Sequence, residues 1–150
     1  MLTSALFAFL HFAAVFGIFA TVFGTWLLLR QTPTCAQARQ IQVCDRWYGL
    51  CAAAVLGVGL LRVFYYEKGA AYYAGNPFFG LKMALFVLVG LLSIYPTVQF
   101  IRWGAQTRQG LPPVVSAQQL ARLHGLLGLE LALLLGVALC AALMAKGVTL

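Results

Sequence analysis

A long apolar stretch at residues 4–29 is the feature that most constrains this chain. It exceeds the ~20 residues that an α-helix needs to cross a bilayer. Three further apolar stretches follow, at about residues 47–66, 77–101 and 117–145. Inside a bilayer, backbone N–H and C=O groups must be hydrogen-bonded within the protein, so such stretches form helices. The sequence therefore predicts an all-α integral membrane protein, a single four-span domain built as a four-helix bundle.

The composition supports this class. Hydrophobic residues make up 63% of the 150 residues and charged residues only 9%, whereas a soluble domain carries roughly a quarter charged residues. The net charge of +7 does not indicate a nucleic-acid ligand, because the basic residues are dispersed and most lie at the ends of the predicted spans. Such residues set membrane topology. We expect the lipid bilayer as the surroundings and no nucleic-acid partner.

The arginines indicate an orientation. The first predicted loop, residues 30–46, and the third loop with its flanks carry most of them: Arg30, Arg39, Arg46, Arg102, Arg108 and Arg122. The second loop and the termini offer only Lys68 and Lys146, plus Arg62 where it snorkels to the interface. By the positive-inside rule, loops one and three are cytoplasmic. Both termini are then expected on the outer, periplasmic side of a bacterial inner membrane.

Three polar side chains are predicted at similar depth below the outer face. At 1.5 Å per residue, His11 lies ~10 Å below it, Lys82 ~7 Å and Arg62 ~6 Å. His124 enters from the opposite end, ~30 Å from the outer face. The two histidines are therefore excluded as opposite axial ligands of one haem, while one imidazole and two cations share an outer layer.

This layer has several interpretations. His11 can hydrogen-bond a neighbouring helix, and Arg62 and Lys82 can snorkel to the interface. Alternatively, His11 is the metal ligand of a haem and Lys82 is a second ligand. In a third arrangement His11 ligates alone, and Arg62 and Lys82 bind the two propionates, since both cations pair well with carboxylates.

Glu130 lies near the middle of the fourth span. An ionised carboxylate at that depth must be paired, or it takes up a proton. It is expected to point away from a small-residue edge formed by Gly128, Ala132, Gly136 and Cys140. The fourth helix would then be buried on two sides, which suggests a homodimer or a larger membrane complex. A catalytic role in proton relay is the other interpretation.

Four runs carry a resemblance to a known family: residues 45–50, 59–69, 76–82 and 90–97. Together they resemble an uncharacterised family of predicted bacterial membrane proteins, a domain of unknown function, over almost the whole chain. More distantly, the layout resembles the four-helix bacterial protoporphyrinogen IX oxidase and, loosely, the membrane part of copper-resistance protein D.

The oxidase has a histidine early in its first helix and a lysine early in its third, and it binds haem b. This resemblance implies that His11 and Lys82 form a functional pair, with Lys82 catalytic. The oxidase also has an asparagine–glutamate pair followed by a proline in its last helix. Here Glu130 is present without the proline. The resemblance therefore implies haem or porphyrin binding more strongly than oxidase activity.

The leading hypothesis is an inner-membrane redox protein that binds haem b or a related porphyrin through His11, Lys82 and Arg62. Its chemistry would be electron transfer with quinone or porphyrinogen oxidation, and whether it is an enzyme stays open. A first alternative is a non-catalytic accessory or assembly subunit of a larger membrane complex. A second alternative is transport of copper or a small solute, although the three methionines are dispersed.

Overall fold

The computed structural model describes residues 2–66 and 75–148, with the side chain of Tyr66 excepted. Its helices are α1 (Leu2–Leu28), α2 (Cys35–Leu61), α3 (Pro77–Arg108) and α4 (Ala117–Ala145). A π-helical turn, Arg62–Tyr66, continues α2. All regular structure in the described part is helical, and four helices are long and apolar enough to cross a membrane. For the described residues this confirms the prediction of an all-helical fold with four helices long and apolar enough to span a membrane.

Consecutive helices run antiparallel and pack side by side, and α4 returns to contact α1. Within the described residues, the diagonal pairs α1 with α3 and α2 with α4 make no helix–helix contact. We call the end with the connections 29–34 and 109–116 the short-loop end. The other end, where Leu2 and Val148 lie, is the termini end. A ligand that joins α1 to α3 must therefore reach across the bundle axis.

The predicted first loop at residues 30–46 is wrong, because α2 begins at Cys35. A capping box starts the helix: the Thr34 hydroxyl accepts from the backbone N–H of Gln37 at 3.3 Å, and the Gln37 side chain accepts from the Thr34 N–H at 2.9 Å. This pair satisfies two backbone donors that a helix start leaves open. As a result, Asp45 lies inside α2 and not in a loop.

The third helix begins where the sequence predicts and ends later. The Asn76 side chain accepts from the Phe78 N–H at 2.9 Å, and Pro77 follows as the first helical residue. The helix then continues through Pro96 to Arg108, beyond the expected end near residue 101. The extra turns carry α3 past the core to the short-loop end.

The buried core lies mainly in the half of the bundle near the short-loop end. Its members are Ile18, Val22, Leu29, Ala38, Ile41, Val89, Phe100, Trp103, Leu123, Leu127 and Leu134. On α1 the described residues before Ala14 are all at least partly exposed. The buried residues of α1 are Ala14, Ile18, Val22 and Thr25. The termini end is therefore the less tightly packed half.

Polar contacts join the two helical hairpins at the short-loop end. The Arg39 guanidinium donates to the Thr107 carbonyl at 2.6 Å, and the Gln42 amide donates to the Phe100 carbonyl at 2.9 Å. Arg39 thus binds a carbonyl in the last turn of α3, where the helix dipole favours a cation. These bonds hold α2 against α3 at a fixed register.

The α1–α2 hairpin packs closely at Gly17. A β-carbon added there would lie 2.5 Å from the Cys51 sulfur and 3.6 Å from the Cys51 β-carbon. Two carbons or a carbon and a sulfur do not approach to 2.5 Å without displacement. Glycine at this position therefore lets the two backbones come together, as small residues do between membrane helices.

Gly17→Ala should lower the free energy of unfolding in detergent by about 1–3 kcal/mol, because the new methyl group overlaps Cys51. Adding Cys51→Ala removes the sulfur and should restore most of that loss. Gly24→Ala is the matched control on the same helix, since its new β-carbon would meet no atom within 4 Å. Unfolding followed by circular dichroism measures all three. A double variant no more stable than Gly17→Ala would contradict this packing.

Candidate functional site

Two of the chain's three acidic residues meet inside the bundle. Asp45 on α2 and Glu130 on α4 line one small cavity of about 10 Å³, which is room for roughly one water molecule. Glu130 is only 1% exposed. The other polar side chains of the lining are Thr21, Thr25, Tyr48 and Ser93. All four helices therefore contribute polar groups to this point, which we call the carboxyl cavity.

Asp45 is held by a hydrogen bond across the hairpins. The Thr97 hydroxyl donates to its carboxylate at 2.7 Å. Tyr48, one turn further along α2, is within hydrogen-bonding reach of Ser93 on α3. No hydrogen-bond donor reaches the buried Oε1 of Glu130 in the described part of the chain.

The burial of Glu130 needs no second copy of the chain. The sequence suggested that this side chain faces away from the helix packing edge and toward another subunit. In the structure it faces its own bundle. A β-carbon added at Gly128 would lie 3.4 Å from Nε1 of Trp26 on α1, and one added at Gly136 would lie 3.4 Å from Leu85 on α3. The fourth helix is thus covered on several sides by helices of the same chain.

His11 lies on α1 near the termini end and packs against α2. Its Nδ1 is buried, and a β-carbon added to Gly59 would lie 3.1 Å from its Cε1. Because Gly59 has no side chain, it leaves a notch on the surface of α2, and the edge of the His11 ring lies in this notch. One turn along, the Arg62 guanidinium lies 5.9 Å from the centre of the Phe12 ring. His11 and Arg62 therefore occupy the same part of the α1–α2 interface.

Lys82 lies at the same level on α3. Asp45 of α2 is hydrogen-bonded to Thr97 of α3. Because the two helices run antiparallel, the same register places Gly59 of α2 level with Met83 of α3. Lys82 is the neighbour of Met83 and is half-buried. The structure thus puts His11, Arg62 and Lys82 in a common layer, as the sequence predicts, with His11 and Lys82 on diagonal helices.

The two groups of polar residues are separate. Along α1, His11 precedes the cavity residue Thr21 by about 15 Å. Glu130 therefore belongs to the carboxyl cavity and not to the layer of Lys82. His124 is further away still: its ring stacks on Trp26, with centroids 4.8 Å apart, about 22 Å along α1 from His11. The two histidines therefore lie about as far apart along the bundle as the sequence predicts.

Within the described residues, no three His, Cys, Asp or Glu side chains converge as a metal-binding group. The carboxyl cavity has two acids and the outer layer has one imidazole. The cavity was missed by sequence reasoning because Asp45 was placed in a loop. The Thr34–Gln37 capping box is the signal that would have found it, since it starts the helix at Cys35, twelve residues before the predicted start at residue 47.

The family of the chain follows from comparison with known proteins. Residues 3–149 match the profile of a family described as Predicted membrane protein (DUF2214). The chain belongs to this family. No curated protein and no solved structure gives a significant match. The comparisons thus support the first resemblance drawn from the sequence, while the more distant ones to the porphyrinogen oxidase and copper-resistance protein D are not shown by them.

Thr97→Val should destabilise the protein by about 1–3 kcal/mol, because it removes the donor to a carboxylate while keeping the side-chain shape. Thr97→Ser retains the hydroxyl and should recover most of that stability. Unfolding in detergent, followed by circular dichroism, compares the two. Equal stability of the valine and serine variants would show that the bond to Asp45 contributes nothing.

Proposed function

We propose that this protein binds a haem or a related porphyrin in the termini half of the bundle, with His11 as the axial ligand of the metal. The observation that carries the proposal is the common layer of His11, Arg62 and Lys82. One imidazole is held against α2, and two cations approach from α2 and α3. This is the donor set that a metal porphyrin with two carboxylates requires.

The residues fit such a group on three counts. The His11 ring is held by the notch at Gly59, so its orientation is set before any ligand binds. The core residues concentrate toward the short-loop end, which leaves the termini half more open. The diagonal placement of His11 and Lys82 puts the bundle axis between them, where a planar ligand would lie.

Each residue has a distinct role in this proposal. His11 supplies a neutral nitrogen to the metal. Arg62 offers a fixed fork of donors suited to one propionate. Lys82 would pair with the other propionate or, as a neutral amine, would be a second ligand of the metal. When bound, a haem would supply one-electron transfer, for which a membrane quinone is the expected partner class.

The proposed setting is a bacterial inner membrane with both termini on the periplasmic side. Its support is the clustering of arginines at one end: Arg30 lies 5.0 Å from the Trp26 ring, and Arg122 lies 5.1 Å from the Tyr95 ring. Together with Arg39 and Arg108, these residues surround the short-loop end. Basic residues are enriched at the cytoplasmic ends of membrane-spanning helices.

Haemin added to the purified protein in mild detergent should give a shifted, saturable Soret band. His11→Ala should abolish the shift because it removes the metal ligand, and His124→Ala should retain it as the matched histidine control. Absorption titration measures both. If no Soret shift appears and another protein co-purifies at fixed stoichiometry, the accessory-subunit hypothesis replaces this one.

Haemin dimethyl ester separates the roles of the two cations. Arg62→Ala and Lys82→Ala should each weaken haemin binding by roughly tenfold or more, because a charge-assisted bond to a propionate is lost. Neither should weaken binding of the ester, which has no carboxylate. If Lys82 ligates the metal instead, Lys82→Ala changes the spectrum with both compounds. Unchanged affinity and spectra in both variants would contradict the proposed roles.

The orientation can be tested with single cysteines in a variant lacking the four native ones. Thr3→Cys lies at the termini end, and Gln31→Cys lies in the first connection. A membrane-impermeant maleimide should label Thr3→Cys in intact cells, and Gln31→Cys only after permeabilisation. The reverse pattern would invert the proposed topology.

A further inference from the structure

We propose that the carboxyl cavity binds a small monovalent cation, sodium, between Asp45 and Glu130. The cavity combines two acidic side chains with a volume of about 10 Å³. Glu130 is 1% exposed, and its Oε1 has no hydrogen-bond donor in the described part. The inference is independent of porphyrin binding, because the cavity lies in a different layer of the bundle.

Two of the hydroxyl groups around the cavity have their protons engaged by helix carbonyls. A hydroxyl has one proton, and once that proton is donated the oxygen acts only as an acceptor. The Thr21 hydroxyl contacts the Gly17 carbonyl at 2.8 Å, and the Ser93 hydroxyl donates to the Gly90 carbonyl at 2.8 Å. Both protons therefore point to helix carbonyls and not to Glu130.

Two further hydroxyl groups near the cavity are engaged as well. The Thr97 proton is donated to Asp45, and Tyr48 lies against Ser93, whose own proton is already used. Pro96 lines the cavity as well, and it has no backbone N–H to offer. The cavity is thus lined by an excess of oxygen acceptors from every helix around it.

In the described part of the chain, no basic side chain lines the cavity to offset this excess. The charged and titratable residues of the lining are Asp45, Tyr48 and Glu130, and neither α1 nor α3 contributes one. No Lys or Arg is among the lining residues. A carboxyl group that stays ionised at membrane depth needs a counter-charge. Oxygen ligands of this kind suit hard cations and not the softer transition metals.

The size of the cavity selects among the hard cations. Magnesium keeps several of its waters, and calcium takes six to eight oxygen ligands. A space for about one water-sized sphere holds neither a hydrated magnesium ion nor the full ligand set of calcium. One sodium ion fits, and it balances one carboxylate while the second carboxyl keeps a proton.

The test is the sodium dependence of thermal stability in detergent at constant ionic strength. Replacing choline chloride with sodium chloride should raise the apparent Tm of the wild-type protein by about 3–6 °C at ~10 times the dissociation constant. Potassium chloride should raise it less. A calorimetric titration with sodium chloride should show saturable binding of one ion per chain.

Three variants locate the effect. Glu130→Gln and Asp45→Asn keep the side-chain shape and should lose the sodium-dependent rise in Tm. His124→Gln changes another polar side chain of α4, half-buried and outside the cavity, and should retain it. The proposal is overturned if sodium, potassium and choline give the wild-type protein equal stability. It is also overturned if calcium or magnesium, but not sodium, raises the Tm, or if Glu130→Gln keeps the full response.

Discussion

The placement of two carboxyl groups among apolar helices, with Glu130 buried and Asp45 half-buried, is the constraint on which the short-loop half of this bundle depends. A charged or unpaired polar group costs several kcal/mol when it is removed from water. Asp45 and Glu130 come from helices that do not contact each other, and they meet only because α1 and α3 fill the space on either side. The Thr97 bond to Asp45, at 2.7 Å, then fixes the register between α2 and α3. The same hydrogen bond therefore belongs to the polar centre and determines the helix register.

This arrangement divides the protein into two halves with different packing. The hairpins α1–α2 and α3–α4 are each closely packed, and contacts such as Gly17 with Cys51 bring their backbones together. The hairpins are joined to each other by the polar bonds of Arg39 and Gln42 near the short-loop end. Toward the termini the buried core thins out. Regions with fewer buried contacts open more readily, which suits the termini half to ligand entry.

The sequence predicts the helices well because membrane crossing demands long apolar runs, and such runs are visible in one dimension. It also predicts the relative depths of His11, Lys82 and Arg62, since depth is a distance counted from the end of a span. The start of α2 was missed because its first turns are polar: hydropathy falls between residues 36 and 46 although the chain is helical. Only the capping box at Thr34 marks that start.

The meeting of Asp45 with Glu130 could not be predicted from the sequence for a different reason. It depends on the register between α2 and α3 and on which helices are diagonal. Both are set by side-chain contacts between segments far apart in the chain, such as Gly128 with Trp26. A single sequence shows which residues are polar and how deep they lie. It does not show how each helix is rotated about its own axis, and therefore which neighbouring helix each polar residue faces.

The distance between the two polar layers has an energetic consequence. A unit charge in the carboxyl cavity lies about 15 Å from a charge beside His11, which at an effective dielectric constant of ~20 corresponds to about 1 kcal/mol. That is roughly a sixfold change in an equilibrium constant. A cation bound between Asp45 and Glu130 would therefore favour an added electron, and disfavour a second cation, in the outer layer. The coupling needs no conformational change, because α1 holds both layers on one rigid helix.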